Sequence, residues 1–166
     1  MKKELLRDVK FWKDDGAFKL RVCGVVKVGD KILISRANEA DFWGFPGGHV
    51  TLGETTDEAV TREVFEETKI EVEIVKLLGE VQLFFDRGDG KPLHEIGYYY
   101  LMKPLREIET KDFNNEEIDH GELKKHYNQW RTLDQLKKLD VRPVEILNCV
   151  EKGLERQHIV RDFFSK

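Results

Sequence analysis

From Phe18 the chain alternates in the way a pleated strand requires: Val22, Gly24 and Val26 fall to one side, Cys23, Val25 and Lys27 to the other. Gly29-Asp30 then makes a tight turn into an apolar run at 31–35, so the two runs predict a hairpin. Residues 41–45 form a short aromatic segment. Pro46-Gly47-Gly48 breaks it with a loop whose missing side chains let backbone approach a ligand or metal closely. The period then becomes helical. Thr55 or Thr56 serves as N-cap, Asp57 and Glu58 favour the positive helix end, and the helix runs to about Thr68. Val60 and Val64 stand on one side of it and Phe65 opposite, as in a helix held between two layers. Residues 70–78 and 80–85 are β-branched and aromatic and predict one long strand or two. A turn at 86–90 and a return strand at 93–102 complete a second hairpin.

The remainder is less periodic. Residues 1–16 are charged, end in Asp14-Asp15-Gly16 and read as a lead-in segment. Residues 103–126 are polar and read as largely loop. After Trp130 a short helix is expected at 133–139, Pro143 opens the next, and 144–164 read as mostly helical. Nothing resembles a linker or an internal repeat, so the expectation is one α+β domain over 1–166.

Composition narrows the class. With 166 residues, 40% hydrophobic and 36% charged, the chain has the make-up of an ordinary globular protein with a real core. A net charge of −4 excludes a global electrostatic pull toward nucleic acid or an anionic membrane. No apolar run has the length of a membrane span, and no apolar stretch follows the two N-terminal lysines as in a signal peptide. Cys23 and Cys149 fit no CxxC pattern. Two reduced, buried thiols are expected, which suits a cytoplasmic protein.

The candidate chemistry lies in the predicted helix. Glu63, Glu66 and Glu67 occupy i, i+3 and i+4, so the three carboxylates share one face within about 100°. Ala59 falls inside the same arc and leaves room beside them. Like charges that close repel, and a hard divalent cation such as Mg2+ is the natural neutraliser.

The stretch from Gly48 to Ile70, GHVTLGETTDEAVTREVFEETKI, resembles the Nudix box, G-x5-E-x7-R-E-U-x-E-E-x-G-U, where U is a bulky aliphatic residue. Gly48, Glu54, Arg62, Glu63, Val64, Glu66, Glu67 and Ile70 match. Lys69 stands where the family has its second glycine, and a lysine held in the left-handed turn there costs about 1 kcal/mol. The preceding Trp43-Gly44-Phe45-Pro46-Gly47 also resembles the family's lead-in.

This resemblance implies an α/β/α sandwich around a mixed β-sheet and a hydrolase dependent on Mg2+, with Mn2+ as a possible substitute. Glu63, Glu66 and Glu67 are the implied metal ligands, with a backbone carbonyl of Gly47 or Gly48. Glu54 and Arg62 are the implied structural pair. Water attack at phosphorus would cleave a phosphoanhydride in a small nucleotide. The base is either a box glutamate or a later acid; Glu116, Glu117, Asp119 and Glu122 are candidates. Glu122 is preferred for its distance before Trp130. Trp43 and His94 are the expected substrate contacts, His94-Glu95 being similar to an HEI segment in some bacterial members. Two other readings remain open: an RNA 5′-end pyrophosphohydrolase using Lys124, Lys125, Lys137 and Lys138, and a non-catalytic nucleotide-binding module. A homodimer could pair through the C-terminal section.

Overall fold

The computed structural model describes residues 7–38 and 40–164. Its elements run β1 (Lys10–Lys13), β2 (Gly16–Val28), β3 (Lys31–Ala37), β4 (Gly47–His49), α1 (Thr56–Thr68), β5 (Val72–Asp86) and β6 (Pro92–Pro104). They continue with β7 (Phe113–Asp119), β8 (Glu122–Thr132), α2 (Leu133–Leu136), α3 (Val144–Glu151) and β9 (Gln157–Asp162). The strands form a nine-stranded sheet in the order β7-β8-β3-β2-β6-β5-β9, with β1 and β4 added to β2. The sheet is mixed, because β2 runs parallel to β6 and β5 parallel to β9 while the other pairs are antiparallel.

Alternation along β2 explains the layering. Val22 and Val26 project into a core shared with Ala59, Val60 and Val64 of α1, Tyr100, Met102 and Trp130. Cys23 and Val25 project the other way, into a core with Phe45, Tyr99, Leu136, Ile146 and Leu147. Helix α1 therefore covers one face and α2 with α3 cover the other, the α/β/α arrangement the box implied. Such a strand reads as nearly continuous apolar sequence because both faces are buried.

Four expectations change. Residues 10–13 are a strand paired with Gly16–Lys19 rather than a lead-in; residues 1–6 lie outside the described part. Residues 103–126 are not mainly loop, since β7 and the start of β8 fall within them. The helix expected over 144–164 stops at Glu151, and 157–162 pair with β5 as a strand. Ala59 does not open toward the carboxylates but is fully buried in the core beneath α1. Both cysteines are buried and free, as expected. Among the described residues no helix is long and apolar enough to cross a membrane.

Candidate active site

Local sequence fixes the start of α1. Thr55 is its N-cap and makes a reciprocal capping box with Glu58, which satisfies two otherwise orphan amides. At the other end Lys69 adopts φ 59°, ψ 18°, the left-handed turn that the missing glycine would have filled. Between these ends Arg62 collects the acidic residues. Its Nε and Nη2 donate to the two oxygens of Glu54 at 2.7 and 3.0 Å, and Nη1 donates to Glu63 and Glu66 at 2.8 and 3.0 Å. Burial would raise the Glu54 carboxyl, but Arg62 and the Thr51 donors outweigh it and hold it down to about 2.

The Pro46-Gly47-Gly48 loop closes over the same face. The Gly47 amide donates to Glu67 Oε2 at 3.1 Å, while the Gly47 carbonyl faces Arg21 Nη2 at 3.4 Å. A Cβ on Gly48 would overlap the Glu63 carboxylate, and one on Gly47 would overlap the Val22 carbonyl. Only glycine admits both approaches. Burial pushes Glu63 up to about 7 against the pull of Arg62. Glu67, 8% exposed, is raised well above the ordinary carboxylate range by burial and then by the Glu63 charge. Glu66 stays half-exposed beside them.

The β7–β8 hairpin brings a second set of groups to α1. Asn115 Nδ2 donates to the Glu66 and Glu67 carbonyls at 3.1 and 3.0 Å, pinning the hairpin to the helix end. Two residues on, Glu117 pairs with the buried His126, Nε2 to Oε1, at 2.9 Å. Glu67, Glu117 and His126 offer one ligand atom each, all within 4.8 Å of one another. Of the four acids proposed from sequence, Glu117 is the one brought to Glu67. Glu116 points outward and pairs with Lys125, Asp119 pairs with Lys124, and Glu122 is exposed opposite Asp119 at the hairpin turn. Strand alternation carried the signal, since Phe113, Asn115 and Glu117 share the half-buried face of β7.

A cavity of about 830 Å³ opens from Glu67 and His126 between the sheet and the segment entering α3. Arg21, Ser35 and Arg36 line it, and Arg21 Nε, Ser35 Oγ and Arg36 Nε are buried there without a hydrogen-bond partner. Phe42, Phe85 and Tyr99 supply aromatic walls. Trp43 does not line this cavity; its ring packs against the core and carries the Arg36 guanidinium at 4.9 Å. His94 lies on the opposite face of the sheet, stacked on Phe84 at 4.3 Å. Sequence reasoning passed over Arg21, Arg36 and His126, which lie outside the box on strands β2, β3 and β8 and meet only in the folded sheet.

The donor set suits a hard or borderline divalent cation. Glu67, Glu117 and His126 bring ligand atoms within 4.8 Å of one another, Arg62 holds Glu63 and Glu66 on the same helix, and burial first of all leaves Glu63 and Glu67 reluctant to ionise.

The profile of the NUDIX domain matches residues 18–148. An ADP-ribose pyrophosphatase of Methanocaldococcus jannaschii is 31% identical over 127 residues, covering 66% of this chain and 73% of that protein. A putative mutator protein MutT4 of Mycobacterium tuberculosis is 36% identical over 77 residues, which span 46% of this chain but only 31% of that longer protein. A mutator MutT protein from Bacillus halodurans superposes with a TM-score of 0.61 at 19% identity, covering 87% of this chain and 90% of that one. With a family profile covering most of its length and the full set of box carboxylates gathered at one site, this chain belongs to the Nudix hydrolase family.

Proposed function

We propose that this protein hydrolyses a phosphoanhydride bond in a small nucleoside diphosphate derivative, with Mg2+ or Mn2+ held by Glu63, Glu66 and Glu67. The observation that carries this reading is the cavity opening directly from Glu67, with three buried donors that lack partners and aromatic walls. Unmade buried hydrogen bonds are costly, and phosphate or ribose oxygens would satisfy them. Phe42 and Phe85 offer a base the stacking surface expected of Trp43 and His94. A bound divalent cation would offset phosphate charge and make water more acidic. Glu117 stands where an acid can take the proton from attacking water, because His126 engages one of its oxygens and leaves the other. The Gly47 amide orients Glu67, and Arg62 holds Glu63 and Glu66 in register.

The M. jannaschii relative makes ADP-ribose a sensible first compound. An RNA 5′-end substrate draws less support: Lys124, Lys125 and Lys137 are engaged with Asp119, Glu116 and Glu151. The test is a panel of nucleoside diphosphate sugars, dinucleoside polyphosphates, nucleoside triphosphates and triphosphorylated RNA, with Mg2+ and with Mn2+. Turnover is expected with at least one small nucleotide and to vanish with chelator. No turnover of any member, with nucleotide binding retained, would favour a non-catalytic module and contradict the proposal.

A further inference from the structure

His126 holds an unusual position for a histidine between two acids. Its side chain is 3% exposed, and its backbone is fixed on β8 between Ala37 of β3 and Asn115 of β7. Nε2 meets Glu117 Oε1 at 2.9 Å. Nδ1 forms no hydrogen bond with any described residue; it faces Glu67 Oε2 at 3.9 Å, at the wall of the cavity. At that separation the two atoms are not bonded to each other, while Glu117 holds the other nitrogen of the ring. Glu67, Glu117 and His126 each offer a ligand atom, all within 4.8 Å of one another, a grouping in which two of the donors can share a cation.

The spacing fits one. Nitrogen and oxygen donors bind first-row divalent ions at about 2.0–2.2 Å, so two donors sharing an ion lie within roughly 4 Å of each other. The 3.9 Å between Nδ1 and Glu67 Oε2 falls inside that limit. The outward nitrogen bonded to a carboxylate is the arrangement that fixes tautomer and ring plane in metal-binding histidines. Asn115, bonded to the carbonyls of Glu66 and Glu67, keeps the β7–β8 hairpin and the end of α1 at constant separation.

We propose that His126 Nδ1 is a nitrogen ligand of the metal centre, beside Glu67, with Glu117 as its hydrogen-bonded support. The consequence is selectivity. An all-oxygen site suits Mg2+, whereas imidazole shifts preference toward Mn2+, Co2+ and their neighbours. The inference rests on the metal-dependent reading above but concerns which ion the site prefers and through which atom.

The test reads the ion rather than turnover. Electron spin-echo modulation of the Mn2+ complex of the full chain, at natural abundance and with 15N-histidine, detects nitrogen directly bound to the ion. Modulation at the 14N frequencies that changes to 15N on labelling is expected. In His126→Gln that coupling should be absent and Mn2+ affinity about tenfold or more weaker, with a smaller loss for Mg2+. Glu117→Gln should also weaken Mn2+ binding while keeping the coupling. Bound Mn2+ with no histidine coupling in the wild-type protein overturns the inference and leaves metal dependence standing. Failure of Mn2+ to bind the carboxylate site at all overturns both. If His126→Gln does not fold, the labelling experiment on the wild type still decides.

Discussion

Arg62 grips Glu54 through both carboxylate oxygens, at 2.7 and 3.0 Å, and so ties the loop before α1 to the middle of that helix. The same guanidinium reaches the His49 carbonyl at 3.1 Å and the carboxylates of Glu63 and Glu66. One cation thereby sets loop, helix and acidic face relative to each other. A lysine at 62 could not reproduce this fork.

Glu54→Gln should destabilise the protein by about 2 kcal/mol at neutral pH, because it leaves a partly buried guanidinium without its main partner. The Glu54 carboxyl is held down to about 2 from 4.5, so its contribution is complete above pH 4.5 and lost as pH falls toward 2. Denaturant melts of wild type and variant should therefore differ at pH 7 and converge near pH 2. A constant difference across that range would show the charge is not what matters.

Lys69→Gly should preserve catalysis and leave the melting temperature equal or slightly higher. Glycine relieves about 1 kcal/mol of left-handed strain at φ 59°, offset by its greater unfolded freedom and by loss of the Lys69 Nζ contact to the Glu66 carbonyl at 2.9 Å. A melting temperature several degrees lower, or a large fall in activity, would mean that Lys69 does more than end the helix.

Glu63→Gln should stabilise the metal-free protein increasingly as pH rises. With its folded-state pKa near 7 against 4.5 unfolded, Glu63 binds a proton more tightly in the native state, so stability is lost between these values as pH increases. At pH 7.5 the variant should exceed the metal-free wild type by about 2 kcal/mol, and at pH 4.5 the two should nearly match. His49, pushed down to about 4 by burial, acts in the opposite direction in both proteins and cancels in the comparison. Saturating Mg2+ should favour the wild type instead. Parallel pH profiles would contradict the account of burial at this site.

Much of this architecture is written locally. Thr55 and Glu58 mark the helix start, the glutamate spacing sets one acidic face, and Gly29-Asp30 sets the first hairpin, all from contacts a few residues apart. The β7–β8 hairpin escaped because its strands are mostly polar, with Glu116, Ile118 and Lys125 outward. Its turn was nonetheless legible: His120-Gly121, with φ of 50° and 84°, is a two-residue connection of the kind hairpins prefer. Reading it would have placed Glu117 beside His126 on the inward face and left Glu122, on the same face, at the exposed turn. Strand β9 was hidden by the helical start at Val144, although Lys152-Gly153 is a stop signal and Ile159-Val160 a β-branched pair. The pairing of Arg21 with the loop that leads into the box, 26 residues away in sequence at Gly47, depends on β2 lying beside β4, which no local pattern encodes.

The most direct measurement is kcat for Glu67→Gln on the best nucleotide substrate at saturating divalent metal. The substitution keeps volume and removes the charge at the junction of carboxylate cluster and cavity. The variant is expected to fold, with kcat reduced about a hundredfold or more, equivalent to about 2–4 kcal/mol of transition-state stabilisation. Near-wild-type kcat in a folded variant would contradict this expectation.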